Sequence, residues 1–294
     1  MWSPRLNGKY PQPSCVYSWI LGGYAQRSCV YTNVVRKQMK KISAIIIGLI
    51  IFAACGKRDT VDYSALTCTD LNKGLENNLT KLSDFRDLGP ENLSYLDDSL
   101  PKVNQEIISL LKQIPTNKGL QNCDLDFDMA TYISSDDRRL RFMSWDTKQG
   151  GTMIDFATVA IFQDKDSLKV KLLLTEFGEN LFENFYEIYT IQDNRSEALY
   201  LVKAYGIGST LVRQLSVKVF QVKNGLTQVA IFPNGQNEIT LGYETSSQDT
   251  LFDIKVLEQG KKLLIPIVDG DSLTGDYDEL NFNGATFASA QQQL

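Results

Sequence analysis

The chain is expected to be mainly β: an antiparallel meander or sandwich built of repeated hairpin units, preceded by a helical hairpin. Three observations carry this. Apolar residues recur at three and four between residues 69 and 114, which places them on helical faces. From Leu125 onward, β-branched and aromatic runs alternate with Gly, Asn and Asp, as in successive strands and turns. The third observation is internal likeness. Gly150 to Leu174 lies on Gly208 to Phe232 at an offset of 58 with seven of twenty-five positions identical, and a shared period is how repeated units show themselves.

The first helix is predicted from Thr69 to about Leu88, with Leu71, Leu75, Leu79, Leu82 and Phe85 on one face and Gly89-Pro90 ending it. The second carries Leu100, Val103, Ile107, Leu110, Leu111 and Ile114, with Ser99 as N-cap, Pro101 in the first turn and Pro115 as the stop; proline is tolerated at a helix start because that N–H has no partner there. Glu91 to Asp98 is expected to form a short extra turn between them. Strands are predicted over Asp126–Ile133, Leu140–Trp145, Thr152–Phe162, Leu168–Leu174, Phe185–Ile191, Leu199–Tyr205, Leu211–Val222 and Leu226–Phe232. Ser135-Asp136-Asp137 and Lys223-Asn224-Gly225 supply turns. Leu140 to Thr147 lies on Leu199 to Gly206 after a one-residue gap, and a weaker third copy is placed at Ile239 to Ile267. Three units are few for a propeller, so a small propeller-like arrangement is the alternative to the sandwich.

The N-terminal region reads as an address. Met39, Lys40 and Lys41 are a basic start, Ile42 to Ala54 an uncharged, mostly apolar run, and small residues precede Cys55: an export signal too short to span a bilayer that needs about twenty residues. Phe52-Ala53-Ala54-Cys55 resembles the lipobox of bacterial lipoproteins with type II signal peptides. The resemblance implies lipid on Cys55 and cleavage before it, so that the membrane is a partner through the lipid; two or three acyl chains would hold a domain stably. Gly56 in place of aspartate implies the outer membrane. Gly56, Lys57 and Arg58 lack the acidic run of surface-exported Bacteroidetes lipoproteins, which favours a periplasm-facing position over surface exposure. The organisation expected is an upstream extension over 1–38, signal peptide over 39–54, linker over 55–65, helical hairpin over 66–123 and β domain over 124–294. The stretch Leu140 to Thr147 followed by Gly150-Gly151-Thr152 resembles Bacteroidetes lipoproteins and implies no activity. Five Asp-Ser or Asp-Thr pairs before an apolar residue, at Asp59, Asp98, Asp166, Asp249 and Asp271, resemble O-glycosylation acceptors of exported Bacteroidetes proteins.

Charge and composition exclude more than they assign. All 35 acidic residues lie after residue 54 with 23 of the 30 basic ones, a net −12, against the basic footprint that nucleic acid requires. The chain has no histidine, which removes His-based triads and His-ligated metals. No Gly-rich phosphate loop joins a strand to a helix, so nucleotide is not expected as a ligand, nor is any cofactor. Cys68 and Cys123 remain as an even pair after Cys55 and the two cysteines of the upstream stretch are set aside, and are expected to form a disulfide in an oxidising compartment.

Candidate binding residues are Trp145, Asp146, Tyr205 and Tyr243, near loops where rings can stack on sugars or dock a protein. Asp269, Asp271, Asp276 and Asp278 are the weak candidates for a metal, since oxygen-rich loops hold Ca²⁺; a plain hairpin turn is the preferred reading. Two functions follow. The first is a non-enzymatic binding or interaction module of the envelope, contacting a glycan or protein. The alternative is a carboxylate-based hydrolase of glycans, which needs two convergent carboxylates in a cleft.

Overall fold

The computed structural model describes residues 66–85, 93–150, 153–173, 183–209, 211–244 and 253–289, all within one compact unit, Val61–Leu294. Cys55 and the segments expected to be upstream extension (1–38) and signal peptide (39–54) lie outside the described residues.

Helix α1 (Cys68–Asp84) begins in a capping box: the Thr67 hydroxyl accepts from the Asp70 N–H and the Asp70 carboxylate from the Thr67 N–H, satisfying two end groups reciprocally. Its face of Leu71, Leu75, Leu79 and Leu82 is buried, as the spacing predicts. Helix α2 (Leu93–Leu111) differs from expectation: it starts well before Ser99, absorbs the expected extra turn and carries Pro101 inside. An interior proline costs about 3 kcal/mol, whereas fully burying a large apolar side chain returns roughly 1.5–3 kcal/mol. Four buried residues of this helix, Leu100, Val103, Ile107 and Leu111, share the core with α1 and outweigh the break. A 3₁₀ turn (Lys118–Leu120) then leads to the Cys68–Cys123 disulfide.

Strands β1 (Ala130–Ser134), β2 (Leu140–Asp146), β3 (Phe156–Asp164) and β4 (Ser167–Leu173) form a first antiparallel meander. Strands β5 (Glu183–Gln192), β6 (Ala198–Ile207), β7 (Val212–Val222) and β8 (Leu226–Gln228) form a second, with β9 (Glu238–Glu244) pairing the other end of β7. Strands β10 (Lys255–Leu257), β11 (Lys262–Asp269), β12 (Ser272–Phe282) and β13 (Phe287–Ser289) form a third. Among the described residues the architecture is mainly β, three antiparallel sheets with one helical hairpin and no closed barrel.

The sheets stack as layers. Leu140, Phe142, Ala160 and Phe162 of the first sheet meet Phe185, Tyr200, Val202 and Phe220 of the second. The opposite face of the first sheet, with Met143, Trp145, Val159 and Ile161, packs on the helices. The opposite face of the second, with Leu199, Leu201, Val217 and Val219, packs on Leu263, Ile265 and Phe287 of the third. The first and third sheets share no hydrophobic cluster among the described residues, so the sheets form a row, and the propeller-like ring is replaced by a sandwich capped at both outer faces. Because two layers are covered on both sides, β2 and β7 bury consecutive residues instead of alternating.

The third sheet corrects the placement of the third copy. Glu238–Glu244 belongs to the second sheet, and the third meander runs from Lys255 to Ser289. The chain leaves the β7 edge after β8 because Phe232 turns inward to stack on Phe287, ring centroids 5.4 Å apart, and Pro233 follows, which has no N–H to donate to a ladder. β9 returns to complete the same edge.

Candidate functional site

The ladders relate the candidate residues to one another. Trp145 on β2 pairs with Ala157 on β3, and Tyr205 on β6 pairs with Leu215 on β7. Ala157 and Leu215 stand at the offset of 58 found along the chain, so Trp145 and Tyr205 occupy equivalent places, one residue further on than the single gap expected.

Their surroundings differ. Trp145 is 1% exposed, and its indole Nε1–H donates to Asn104 Oδ1 at 2.8 Å. The Asn104 amide in turn donates to the carbonyls of Leu100 and Thr147, at 2.9 and 3.0 Å. Trp145 therefore clamps α2 to the sheet, and no ligand can reach its ring. Tyr243, 4% exposed, is also core. The Asp146 carboxylate accepts from the Lys148 N–H and Nζ, at 2.8 and 2.5 Å, and so closes its own turn. Asp269, Asp271, Asp276 and Asp278 are exposed along the β11–β12 hairpin, with Asp269 paired to Ser272 across a two-residue turn; no group of three or more ligating side chains gathers among the described residues. Asp166 and Asp271 are each the second residue of a two-residue hairpin turn.

Tyr205 alone of the proposed rings stays half-exposed, and it has company. It lies edge-on to Phe156 at 5.6 Å and tilted against Tyr186 at 5.5 Å. The Ile154 N–H donates to the Ile207 carbonyl at 3.1 Å, which joins the β2–β3 and β6–β7 loops at one end of the sandwich. Gly150 is required in the first loop, since a Cβ there would lie 2.1 Å from the Met153 carbonyl oxygen. The joined loops display Met153, Val212 and Leu211, the last 53% exposed. Below them the buried Lys203 ammonium sits 4.9 Å over the Tyr186 ring and pairs with Asp253 at 2.5 Å and Glu187 at 3.1 Å. Burial and the Asp253 hydrogen bond push the Tyr186 phenol well above the usual tyrosine range, so it stays protonated and donates to Asp253 at 2.7 Å. Burial also raises Asp155, against the hydrogen bond from Thr147.

Convergent carboxylates do occur. Glu183 and Glu238 both pair with Lys218, but Glu183 is buried, with Oε2 on Lys218 and Oε1 accepting from Gln214 at 3.1 Å. Both of its oxygens are engaged, and neither is presented to a substrate.

A pocket of about 180 Å³ opens elsewhere, between the segment beside the disulfide and the helix-facing side of the first sheet, lined by Gln121, Asp124, Tyr132, Arg138, Arg141 and Gln163 among others. The sequence reading passed over it. Its signal was an arginine in the middle of Leu140 to Trp145, a run otherwise destined for the core.

Among the described residues no helix is long and apolar enough to cross a membrane. Compared with protein-family models, with curated proteins and with solved structures, the chain has no match.

Proposed function

We propose that this chain is an exported, lipid-anchored binding module of the bacterial envelope, tethered through Cys55 at the outer membrane and acting without catalysis. The observation that carries the binding role is the joined loop end. Three large apolar side chains, Met153, Leu211 and Val212, stand exposed there beside the half-buried aromatic row of Phe156, Tyr205 and Tyr186. Exposed apolar groups gathered at loops on a rigid scaffold are the usual form of an interaction site. Aromatic rings anchor such contacts because they cover much area with few rotatable bonds. The nearby carboxylates Glu187 and Asp253 are held by Lys203 and the tyrosine hydroxyls, so they orient the rings and are not free for acid–base work. This favours binding over hydrolysis.

The test is a photoreactive residue at position 211 in the full chain expressed in its own host. It should give a discrete adduct with an envelope component. The same group at Lys169, on the exposed face of the β3–β4 hairpin, should give none. Equal labelling from both positions, or none from 211, overturns the assignment.

A further inference from the structure

We propose that the pocket around Arg141 is a second ligand site, independent of the loop end, and that it takes a monoanion through a single carboxylate group. Arg141 lies on β2 facing the helical hairpin, two residues from Met143, and is 8% exposed. Burying a guanidinium without a counter-charge costs several kcal/mol, so buried cations are normally paired. The molecule follows that rule elsewhere. Buried Lys203 has Glu187 and Asp253, and buried Lys218 has Glu183 and Glu238.

Among the described residues Arg141 has no carboxylate within ion-pairing distance. Its Nη1 donates to the Gln121 carbonyl at 3.0 Å, it touches the Tyr132 phenol, and its Nε is buried with no acceptor. Among the described residues this cation is thus left without a carboxylate, at the wall of a cavity. A guanidinium fork is shaped for a planar carboxylate.

The rest of the lining narrows the ligand. Arg138 adds a second positive charge from the β1–β2 turn, where its backbone is held at φ 58°. Asp124 subtracts one, leaving the pocket with one net positive charge, matched to a monoanion and not to a phosphate dianion. Burial pushes the Tyr132 phenol upward, so it remains a neutral hydrogen-bond donor, and Gln163, Ser134 and Asn122 offer further polar groups suited to hydroxyls beside the carboxylate. About 180 Å³ admits a small hydroxy acid, or the acidic end of a larger glycan. The disulfide fixes the wall, since Cys123 sits between Asn122 and Asp124.

The experiment is calorimetric titration of the full chain in detergent with glucuronate, methyl glucoside, inorganic phosphate and a glucuronate-ended oligosaccharide. Glucuronate should bind, methyl glucoside should not, and phosphate should bind at least tenfold more weakly. Equal affinity for glucuronate and the oligosaccharide identifies a free acid as the ligand form; a tenfold preference for the oligosaccharide identifies an acidic glycan. Arg141→Lys, which keeps the charge and removes the fork, should weaken glucuronate roughly tenfold, the worth of one charge-assisted hydrogen bond. Arg138→Gln, on a turn and separate from the core, should weaken it by a similar factor, so a folding failure at position 141 leaves the test intact. No binding of glucuronate, equal binding of methyl glucoside, tighter binding of phosphate, or unchanged affinity in Arg138→Gln overturns the proposal.

Discussion

Trp145 and Tyr205 stand at matching places on matching strands, yet one ring is sealed and the other is only partly buried. The difference is made by what covers each sheet. Over the first sheet lies α2, whose Asn104 reaches down to the indole. Over the second lies the third meander, whose Leu263 and Ile265 cover Leu199 and Leu201 while Tyr205 remains partly open beside Phe156 and Tyr186. An aromatic residue near a loop is thus neither core nor contact by its own nature; the next layer decides.

That comparison breaks first at Trp145. Trp145→Ala should cost about 3–5 kcal/mol, as for other large buried rings, with the Asn104 carbonyl oxygen losing its donor as well. Tyr205→Ala should cost roughly a third of that, because less area leaves solvent on folding. Urea unfolding of both variants measures the contrast, and equal losses would remove coverage as the explanation. The disulfide should follow in size. Its cysteines are 55 residues apart, and closing a loop of that length constrains the unfolded chain by about 4 kcal/mol in the entropy model. Replacing both with serine should lower stability by that order and speed amide exchange in α1 and the 118–124 segment before the second and third sheets. Uniform loosening of all layers would show that the helical cap is not a separable cover.

Much of this layering was legible in the chain. The helical faces appear at once as Leu71, Leu75, Leu79 and Leu82, because one side of a hairpin packed on a sheet keeps its period. Strand positions from Leu140 to Val222 were also legible, since β-branched runs stop where Asp, Asn and Gly must turn the chain. What escaped was the order of layers. Phe142 and Met143 are adjacent apolar residues facing different neighbours, and nothing in their identity names the partner. The same blindness made Trp145 look like a contact residue. It also hid Arg141, whose pocket is assembled from four separate stretches of chain, and Leu211, an apolar residue left more than half exposed.

A smaller effect separates the buried ion groups by pH. Burial raises Glu238, but the hydrogen bond and charge of Lys218 outweigh it and hold the folded carboxyl below its ordinary 4.5. The unfolded chain therefore takes up the proton first as pH falls, so this contribution to stability is full above about 4.5 and declines as pH drops through the folded value. Denaturation midpoints measured between pH 7 and pH 3 should fall in that lower window, and Glu238→Gln should flatten the decline. An unchanged pH slope in that variant would place the acid sensitivity at carboxylates other than Glu238.

The smallest effect on stability is expected where the largest effect on binding lies. Leu211 is more than half exposed, and exposed substitutions away from special backbone geometry usually change stability by less than about 0.5 kcal/mol. Leu211→Ser should therefore leave the urea midpoint in place while an adduct formed from a photoreactive residue at Met153, its neighbour across the joined loops, disappears. The two readouts must part company for the loop end to be an interaction surface. If Leu211→Ser instead lowers stability as Tyr205→Ala does, the apolar tip is a piece of packing against the row of rings, and the openness of the second sheet serves the fold and not a partner.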